Sequence, residues 1–469
     1  MVFLSELNGM KTWVTDIGNA YLEAYTKEPV YIIASLEFAE LEGHTLLIIK
    51  ALYGLRSSGL RWHERLAGCL REMKFRLCRG LNDVWMRKVG NRYEYIGVYV
   101  DDLVIVSKKP TGIIDILERE YKFKLKGTGS IAFHLGCDFY RDQHGILVQA
   151  PKKYIQKMID TYERMYGEKP SHKYSSPLEH NDHPELDTTE FLDVDMKAKY
   201  LSIIGSLQWA ISIGRIDITV AVMTLSSFRE LPRRGHMDRA KRVVGYLSKM
   251  KEGGIRYRTE LPDYSEIETP VYDWAHTVYG EVTEIIPKDI PEALGKPVIF
   301  THYFDANLFH NKVTGHAVTG ILHMINQTPI DWYAKKQPTV ETATYGSEFV
   351  AGRTCVDQIV DLRITLRYLG VPILKSYMFG DNKSMIDSPS IPDRKLHKRH
   401  HALSFHRVRE AVASKIIELH HIPGQSNPAN ILTKHWGYQQ IWHLLRPLMF
   451  WTGPTNTLCN DEKTIKKNE

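Results

Sequence analysis

The stretch EYIGVYVDDLVIVSKK places two adjacent carboxylates, Asp101 and Asp102, in the middle of an apolar run. The flanking segments are rich in Val, Ile and Tyr, which favour strands, and the two residues between them predict a β-hairpin. Asn-Gly and Asp-Gly suit two-residue turns because they tolerate a positive φ, and Asp-Asp suits them less well. Adjacent carboxylates repel each other, and partial burial raises the cost unless a cation is present. The stretch is therefore either a solvated acidic turn or part of a cation site.

A third carboxylate supports the cation site. Asp16 ends a short apolar strand pattern in TWVTDIGNAYLE, and the aromatic Tyr21 follows it. Three carboxylates on neighbouring strand ends can bind two Mg²⁺ ions, because Mg²⁺ prefers oxygen ligands and completes its shell with water and phosphate oxygens. Two such ions about 4 Å apart activate an attacking oxygen and stabilise the leaving one. The charges of Asp101 and Asp102 would then be neutralised by metal and by the nucleotide that it carries.

Several motifs occur in an order that resembles the reverse transcriptases of copia-type retrotransposons. They are DIGNAYLE, KALYGLRSSGLRWHERL, YVDD, FHLGCDFY followed by QAPKKYIQKMI, and IGSLQWAISIGRIDITVAVMTLSSF. The resemblance covers nearly the whole chain, and the ordered set is far more specific than YVDD alone. It implies a right-hand polymerase palm with Asp16, Asp101 and Asp102 as catalytic metal ligands. It also implies that Tyr21 is the nucleotide-binding aromatic residue that lies against the sugar 2′ position.

The chain departs from the family pattern at two places in this region. The family's fingers subdomain precedes the strand with the first Asp, and here only about fifteen residues do, far short of a domain. Basic residues that grip the incoming triphosphate are then absent, and we expect the chain as given to polymerise poorly. In addition, Arg56-Ser57-Ser58-Gly59 stands where the family more often has Lys-Gln-Ser-Pro. This second departure changes the side chains available on the nucleotide side.

The middle of the chain has helical periodicity. KYIQKMIDTYERMY predicts a helix, the Pro- and His-rich segment after it predicts a loop, and apolar spacing between Tyr200 and Lys249 predicts two or three helices. Five basic residues there either follow a phosphate backbone or lie on a solvated helix face: Arg233, Arg234, Arg239, Lys241 and Arg242. By resemblance this region is the thumb and connection. Residues 257–296 lack a clear period, which predicts a connector with some helix.

A second set of carboxylates follows the connector. Asp305 ends a strand pattern, two further strands of a meander follow, and Glu348 lies near the start of a long helix that Gly370 is expected to end. Asp381 lies between a later strand and a helix. This order resembles the ribonuclease H arrangement, and three unrelated surface acids are the alternative. WYAKKQPTVETATYGSEFVA and GDNKS resemble the copia-type ribonuclease H domain, which implies that Asp305, Glu348 and Asp381 are catalytic metal ligands.

The position of a fourth acid differs from the family. The family has NPAD where its last helix opens, and this chain has NPANILTK, with Asn430 in place of the acid. By resemblance Asn430 is a metal ligand that keeps an oxygen acceptor but lacks the charge. We therefore expect weaker binding of a second cation and a weakened ribonuclease H site. The alternative is that Asn430 only caps the helix, which Asn does as well as Asp.

Histidines are concentrated before that position. His397, His400, His401 and His406 lie in KLHKRHHALSFHRVRE, without an accompanying cysteine and with a spacing that fits no standard zinc site. A basic helix near the phosphates of a bound RNA–DNA hybrid, or a solvated helix, is therefore favoured over a metal site. His421 follows on a strand-to-loop step, where a mobile basic group would assist product release.

Composition sets only the broad class. The chain has 469 residues and a formal net charge of +6, a mild excess that is compatible with a polyanionic partner. Its five cysteines form no CxxC pair and imply no disulfide framework. The start lacks a signal-peptide pattern, and no apolar run reaches the ~20 residues of a membrane span. We predict a cytoplasmic protein without membrane association, with a virus-like particle or the nucleus as alternatives.

These patterns predict an α+β and α/β multidomain fold. The expected segments are a partial palm at 1–165, a linker and helical thumb at 166–256, a connector at 257–296, a ribonuclease H-like mixed-sheet domain at 297–438 and a tail at 439–469. The resemblance implies an RNA-directed DNA polymerase with ribonuclease H activity from a retrotransposon polyprotein. It also implies two Mg²⁺ ions per site, with Mn²⁺ possible, and as partners an RNA template, a DNA primer, an RNA–DNA hybrid and deoxynucleotides. The alternative is a polymerase-inactive, nucleic-acid-binding remnant with at most weak ribonuclease H activity.

Overall fold

The computed structural model describes residues 1–396 and 399–451, without the side chains of His400 and of residues 438–441. The chain divides into two compact units. The first comprises Met1–Ile131, Asp289–Lys296 and Ile364–Pro372, and the second comprises Ala132–Lys288, Pro297–Arg363 and Ile373–Glu469. The predicted mixture of helices and several sheets is confirmed, whereas the five predicted segments remain a prediction. In the part of the chain that the structure describes, each helix is too short or too polar to span a bilayer.

The first unit is built on a six-stranded antiparallel sheet. In chain order its elements are α1 (Val2–Leu7), β1 (Lys11–Ile17), β2 (Tyr25–Ile33), β3 (Thr45–Lys50), α2 (Ser58–Glu72), β4 (Arg76–Leu77), β5 (Val84–Val89), β6 (Arg92–Tyr99), β7 (Asp102–Ser107), α3 (Pro110–Arg119) and β8 (Leu125–Ser130). The sheet order is β4-β5-β6-β7-β1-β8, and β2 and β3 form a separate ribbon. The two strands that carry the predicted aspartates, β1 and β7, are therefore direct neighbours.

Two helices cover one face of this sheet. The residues Trp62, Leu66 and Leu70 recur along α2 at helical spacing and are buried, as are Ile113 and Leu117 of α3. They pack against buried strand residues that share that face, namely Ile17, Trp85, Ile96, Leu103 and Ile105. Full burial of one such side chain contributes about 1.5–3 kcal/mol, so this layer holds the central strands in position.

The second unit contains two further sheets and most of the helices. In chain order its elements are β9 (Phe133–His134), β10 (Cys137–Arg141), β11 (Leu147–Ala150), α4 (Lys152–Tyr166), α5 (Val194–Ser212), α6 (Thr219–Ser226), α7 (Arg234–Lys249), β12 (Ile255–Arg256), β13 (Val298–Asn307), β14 (Val318–Ile325), β15 (Thr328–Lys336), α8 (Thr344–Tyr368, of which the residues from Ile364 onwards belong to the first unit), β16 (Ile373–Gly380), α9 (Lys383–Ser390), α10 (Ala402–Ala413), β17 (Glu418–His421) and α11 (Tyr438–Leu445). Strands β12-β11-β10-β9 form a four-stranded sheet. The predicted helix after QAP is α4, and the predicted two or three helices are α5, α6 and α7.

A five-stranded mixed sheet lies at the centre of the second unit. Its order is β15-β14-β13-β16-β17, with β15, β14 and β13 as an antiparallel meander and β16 and β17 parallel to β13. Every residue of β14 is buried because both faces of the sheet are covered. Ile321 packs with α8 and α10, whereas its neighbour Leu322 joins the core of α4 to α7. The predicted meander and long helix are confirmed, and Gly370 follows α8 with a φ of +73°.

The connector differs from its prediction. The structure describes no helix or strand in residues 257–296, so the expectation of some helix there is wrong. Four prolines, Pro262, Pro270, Pro287 and Pro291, interrupt the segment, and each removes a backbone donor that a helix interior needs. Part of the connector is nevertheless anchored, because the buried Arg363 of α8 pairs with Glu284 at 2.7 Å.

The basic residues of α7 hold the loop that precedes α5. Arg239 pairs with Asp182 at 2.9 Å and with Asp187 at 2.8 Å, and Arg242 pairs with Glu179 at 2.7 Å. The loop is also bonded to the end of the chain, since the Asn181 N–H donates to the His435 carbonyl at 3.2 Å. These guanidinium groups are therefore engaged by carboxylates, which favours a structural role over a phosphate-tracking one.

Candidate functional site

The three carboxylates predicted for the first site lie at one end of the central strands. Asp16 on β1 is the cross-strand partner of Asp102 on β7, and the Ile17 N–H donates to the Asp101 carbonyl at 2.9 Å. Opposite residues of an antiparallel pair point to the same face, so the Asp16 and Asp102 side chains share a face. The fold thus brings together acids that are distant in sequence. Among the described residues, however, these three acids do not form a set with all ligand atoms within 4.8 Å of one another.

The turn between β6 and β7 lies one residue earlier than the sequence predicts. Tyr99 pairs with Asp102, which leaves Val100 and Asp101 as the central residues. Val100 has a φ of +60°, a conformation that costs a β-branched residue roughly 1–3 kcal/mol. The Trp62 indole N–H donates a 2.6 Å hydrogen bond to the Val100 carbonyl and helps to hold this turn. Nothing in the sequence distinguishes Trp62 from an ordinary core residue, and sequence reasoning missed it.

Tyr21 lies in a short turn after β1, beside a second tyrosine that sequence reasoning also missed. The rings of Tyr21 and Tyr53 are tilted with their centroids 4.5 Å apart. Partial burial, the Asp101 carboxylate, Tyr21 and Asp16 raise the pKa of Tyr53. The two tyrosines therefore form an aromatic pair next to the predicted metal ligands. The LYGL motif was the available signal for Tyr53.

The three carboxylates predicted for the second site form a compact cluster in the second unit. Asp305 on β13, Glu348 in the second turn of α8 and Asp381 immediately after β16 have ligand atoms that all lie within 4.8 Å of one another. Asp305 and Glu348 are buried, and Asp381 is partly exposed. Parallel pairing of β16 with β13 brings Asp381 to the strand end that carries Asp305. The cluster is therefore assembled from two strands and one helix.

Two glycines allow other segments to approach this cluster closely. Gly320 of β14 is the cross-strand partner of Asp305, and a Cβ there would lie 2.5 Å from the Thr433 side chain. Gly380 directly precedes Asp381, and a Cβ there would lie 2.4 Å from the Phe304 ring. Both distances are far below van der Waals contact. The missing side chains therefore let residues 429–433 and the end of β16 pack against β13.

Mutual repulsion and burial dominate the electrostatics of the cluster. Burial and the charges of Asp305 and Asp381 raise the pKa of Glu348 well above its ordinary value, and the Ala306 amide and Lys434 act in the opposite direction. Burial and Asp305 likewise raise the pKa of Asp381. The Glu348 Oε2 atom is buried and has no hydrogen-bond partner among the residues that the structure describes. Three converging carboxylates and an unpaired buried oxygen fit a hard divalent cation such as Mg²⁺.

Four residues beside the cluster come from the segment after β17. The Asn427 amide donates to the Phe304 carbonyl at 2.9 Å and to Asp381 Oδ2 at 3.4 Å. The Thr433 hydroxyl donates to Asp305 Oδ2, and the Lys434 ammonium lies 3.4 Å from the same atom. Asn430 contacts Lys434 rather than one of the three carboxylates. Sequence reasoning considered only Asn430 of this segment, although NPANILTK was the available signal for the others.

The histidine-rich segment contributes no assembled metal site among the described residues. His397 lies outside the described residues, and the side chain of His400 is not described. His401 lies 3.6 Å from Glu341, and His406 bonds to Tyr279. His421 ends β17, and its Nε2 donates to the Asp381 carbonyl at 3.1 Å. Of the histidines, His421 therefore lies beside the cluster, where its proposed role in product release stays a prediction.

The charge on Glu348 should make the metal-free protein less stable as the pH rises. Because the pKa of Glu348 is raised in the folded state, folding favours the neutral carboxyl, and this contribution to stability is fully present below the ordinary pKa of 4.5. It is lost as the pH rises through the raised pKa, because Glu348 must then ionise inside the folded protein. Glu348→Gln is neutral throughout, so in chelator its melting temperature should exceed that of the wild type increasingly with pH. A difference of 1 kcal/mol in the free energy of unfolding corresponds to roughly 2–4 °C in melting temperature. Thermal melts with EDTA between pH 5 and 8 measure this, with the exposed Glu230→Gln as the control. A constant difference across that range would contradict it.

The first part of the chain matches a known protein family. Residues 2–171 match the family described as reverse transcriptase (RNA-dependent DNA polymerase). This segment is therefore similar to reverse transcriptases. It contains Asp16, Tyr21, Asp101 and Asp102, so the candidate residues of the first unit all lie within the matched region. The prediction of an enzyme of this class is confirmed at the level of the family.

The relatives extend over most of the chain. It is 27% identical to the putative transposon Ty5-1 protein of Saccharomyces cerevisiae, over 57% of this chain and 88% of that protein. It is 22% identical to the retrovirus-related Pol polyprotein from transposon RE1 of Arabidopsis thaliana and 24% identical to that from transposon TNT 1-94 of Nicotiana tabacum, over 89% of this chain in each case. The chain spans only 26% and 29% of those two polyproteins. The resemblance to copia-type retrotransposon Pol proteins is confirmed.

Solved ribonuclease H structures are also similar to part of the chain. RNase H1 from the halophilic archaeon Halobacterium salinarum matches with a TM-score of 0.24 and 13% identity, over 29% of this chain and 94% of that protein. LC11-RNase H1 in complex with an RNA/DNA hybrid matches with a TM-score of 0.23 and 14% identity, over 29% of this chain and 93% of that protein.

Proposed function

We propose that the chain is an RNA-directed DNA polymerase with a ribonuclease H activity, each carried out at its own carboxylate site with Mg²⁺. The palm of the polymerase comprises residues 1–165, most of which lie in the first unit, and the thumb contains α5 to α7. The nuclease is built on the five-stranded sheet. The partners are an RNA template, a DNA primer, deoxynucleotides and an RNA–DNA hybrid, as the family match and the relatives support.

The observation that carries the proposal is the cluster of Asp305, Glu348 and Asp381. Three carboxylates from separate elements converge within 4.8 Å, and one buried oxygen of Glu348 is unpaired. A folded protein does not gain stability from such repulsion, which a bound divalent cation would relieve. Mg²⁺, when bound, activates a water molecule and stabilises the leaving oxygen in phosphoryl transfer. Asp305, Glu348 and Asp381 would hold that ion in the nuclease.

The side chains around each site have distinct roles in this proposal. In the polymerase, Asp16, Asp101 and Asp102 would hold the catalytic ions, and Tyr21 would contact the sugar of the incoming nucleotide. Trp62 positions the turn that carries Asp101 through its bond to the Val100 carbonyl. In the nuclease, Asn427 and Thr433 position Asp381 and Asp305 through the hydrogen bonds described above. Asn430, predicted from the sequence as a metal ligand, offers a neutral oxygen that accepts from Lys434 beside the cluster.

Two assays on the purified chain test the proposal. Cleavage of a labelled RNA–DNA hybrid and extension of a DNA primer on an RNA template are measured across a Mg²⁺ and a Mn²⁺ titration. We expect hybrid cleavage that EDTA abolishes and that added Mg²⁺ restores. Absence of cleavage at every metal concentration, in a protein that melts cooperatively, would contradict the nuclease assignment.

The alternative is a nucleic-acid-binding remnant without polymerase activity. A specific observation favours it: the three acids of the first site are less tightly assembled than those of the second. Asn430, in place of the family's acid, likewise favours a remnant with weak nuclease activity. Hybrid binding without primer extension at any metal concentration would support this alternative.

Tyr21 should discriminate against ribonucleotides wherever the chain extends a primer. Removing the ring by Tyr21→Ala opens space for a 2′ hydroxyl, and we expect ribonucleotide incorporation relative to deoxynucleotide to rise by about 10- to 100-fold. Single-nucleotide extension with paired nucleotides measures the ratio. Tyr31→Ala, an exposed tyrosine on the β2–β3 ribbon, is the matched control. The same ratio in Tyr21→Ala and wild type would remove Tyr21 from the sugar contact.

A further inference from the structure

A lysine side chain lies within the nuclease cluster. The Lys434 ammonium is 3.4 Å from Asp305 Oδ2 and also donates to the Asn430 Oδ1 atom. Its side chain is 34% exposed, so the ammonium reaches inward from the surface. Oxygens of positions 305 and 430, both predicted as metal ligands, therefore share a cation that the chain itself supplies.

The orientation of Asn430 is determined by its other neighbour. Asn430 is only 3% exposed, and its Nδ2 donates a 2.6 Å hydrogen bond to the Gly424 carbonyl. Because the amide nitrogen bonds to a carbonyl, the amide oxygen faces Lys434. A carboxylate at this position would place a negative oxygen beside the Gly424 carbonyl. Asn is therefore the side chain that satisfies both the carbonyl and the ammonium.

The charges of the cluster balance with one divalent ion. Asp305, Glu348 and Asp381 carry three negative charges when ionised, and Lys434 carries one positive charge. The remaining two negative charges equal the charge of one Mg²⁺ ion. A second divalent ion near Asp305 and Asn430 would meet the ammonium at a few ångströms, where like charges repel strongly.

We propose that Lys434 provides one of the two cations of the nuclease site, in place of a second divalent ion, so that the site binds a single Mg²⁺ or Mn²⁺. This inference rests on the proposed metal-dependent nuclease. It assigns Asn430 to the binding of Lys434 rather than to a metal. Asn430→Asp alone then forms an ion pair with Lys434 and recruits no further ion, whereas removal of the ammonium opens the second position.

The number of bound Mn²⁺ ions tests the proposal without any activity measurement. The 469-residue chain is prepared with Asp16→Asn and Asp101→Asn, so that the palm does not contribute. It is titrated with Mn²⁺, and the concentration of free ion is followed by electron paramagnetic resonance. In that background we compare four proteins: one without a further change, Lys434→Met, Asn430→Asp, and the double variant Lys434→Met with Asn430→Asp. Lys157→Met, an exposed lysine on α4, is the matched control. Asp305→Asn defines the ions that belong to the cluster.

We expect the cluster to bind about one ion in the unchanged background and in Asn430→Asp. It should bind about two ions in Lys434→Met and in the double variant. Of these two, the double variant should bind the second ion more tightly, because it adds a negative charge. Where Lys434→Met does not fold, Lys434→Gln replaces it. Two ions in the unchanged background, or one ion after loss of Lys434, would overturn the inference while leaving the metal-dependent nuclease intact. No ion that depends on Asp305 in any variant would overturn both.

Discussion

Replacing Asp305 with Asn should lower the rate of RNA–DNA hybrid cleavage by about 10²- to 10³-fold or more at saturating Mg²⁺. Asp305 is 2% exposed and central to the cluster, where it accepts a hydrogen bond from Thr433. The amide keeps the shape of the side chain but removes the negative charge that attracts a divalent cation. Single-turnover cleavage of a labelled hybrid, measured across a Mg²⁺ titration, gives the rate and its metal dependence.

The controls separate lost chemistry from lost structure. Asp361→Asn makes the same change on the exposed side of α8 and should leave the rate within about twofold of the wild type. Asp305→Asn also removes one of the charges that repel Glu348, so in EDTA its melting temperature should not fall below that of the wild type. Cleavage by Asp305→Asn at the wild-type rate would exclude Asp305 from the site.

Asp101→Asn should lower primer extension by a similar factor, about 10²- to 10³-fold or more. Asp101 lies at the second central position of the strained turn, and its carbonyl accepts the hydrogen bond from the Ile17 N–H that ties β7 to β1. Because this bond uses the backbone, the substitution removes the charge without removing the link between the strands. Extension on an RNA template at high enzyme concentration, with Mg²⁺ and with Mn²⁺, measures the effect.

The matched control is Asp115→Asn on the exposed face of α3, which should extend primers as the wild type does. Hybrid cleavage by Asp101→Asn should be unchanged, and primer extension by Asp305→Asn should be unchanged, since the two carboxylate sets belong to different units. Extension by Asp101→Asn at the wild-type rate would contradict the role of Asp101. Absence of extension by the wild type itself would favour the nucleic-acid-binding remnant.

Periodicity along the chain predicted most of the regular elements, and the reasons are local. Alternating Val, Ile and Tyr marked β6 and β7, and apolar spacing marked α4, α7 and α8, because these patterns reflect which side of an element is buried. The same reasoning erred where local propensity was overridden. It placed the turn at Asp101 and Asp102, whereas Val100 adopts the positive φ that its β-branched side chain disfavours. It also expected helix in a connector whose prolines prevent one.

The sequence alone also identified the order of acids along the chain, and hence Asp305, Glu348 and Asp381 as one candidate set. The order of the acids can be predicted because each one follows a recognisable strand or lies near the start of a recognisable helix. The side chains that surround those acids in the folded protein cannot be predicted in this way. Gly320 leaves room for the 429–433 segment only because β14 pairs with β13 in one register, and Trp62 reaches Val100 only when α2 packs on the sheet.

What the tertiary structure alone decided is the charge balance of the second site. From the sequence, Asn430 is a metal ligand that has lost its charge, and Lys434 is one more basic residue in a chain with many. In the folded protein the Gly424 carbonyl orients the Asn430 amide, and its oxygen bonds to the Lys434 ammonium beside Asp305. Coulombic interactions fall off with distance and are strongest where water is excluded. The net charge that a metal ion meets therefore depends on which side chains the fold places within a few ångströms, and no linear pattern of residues encodes that distance.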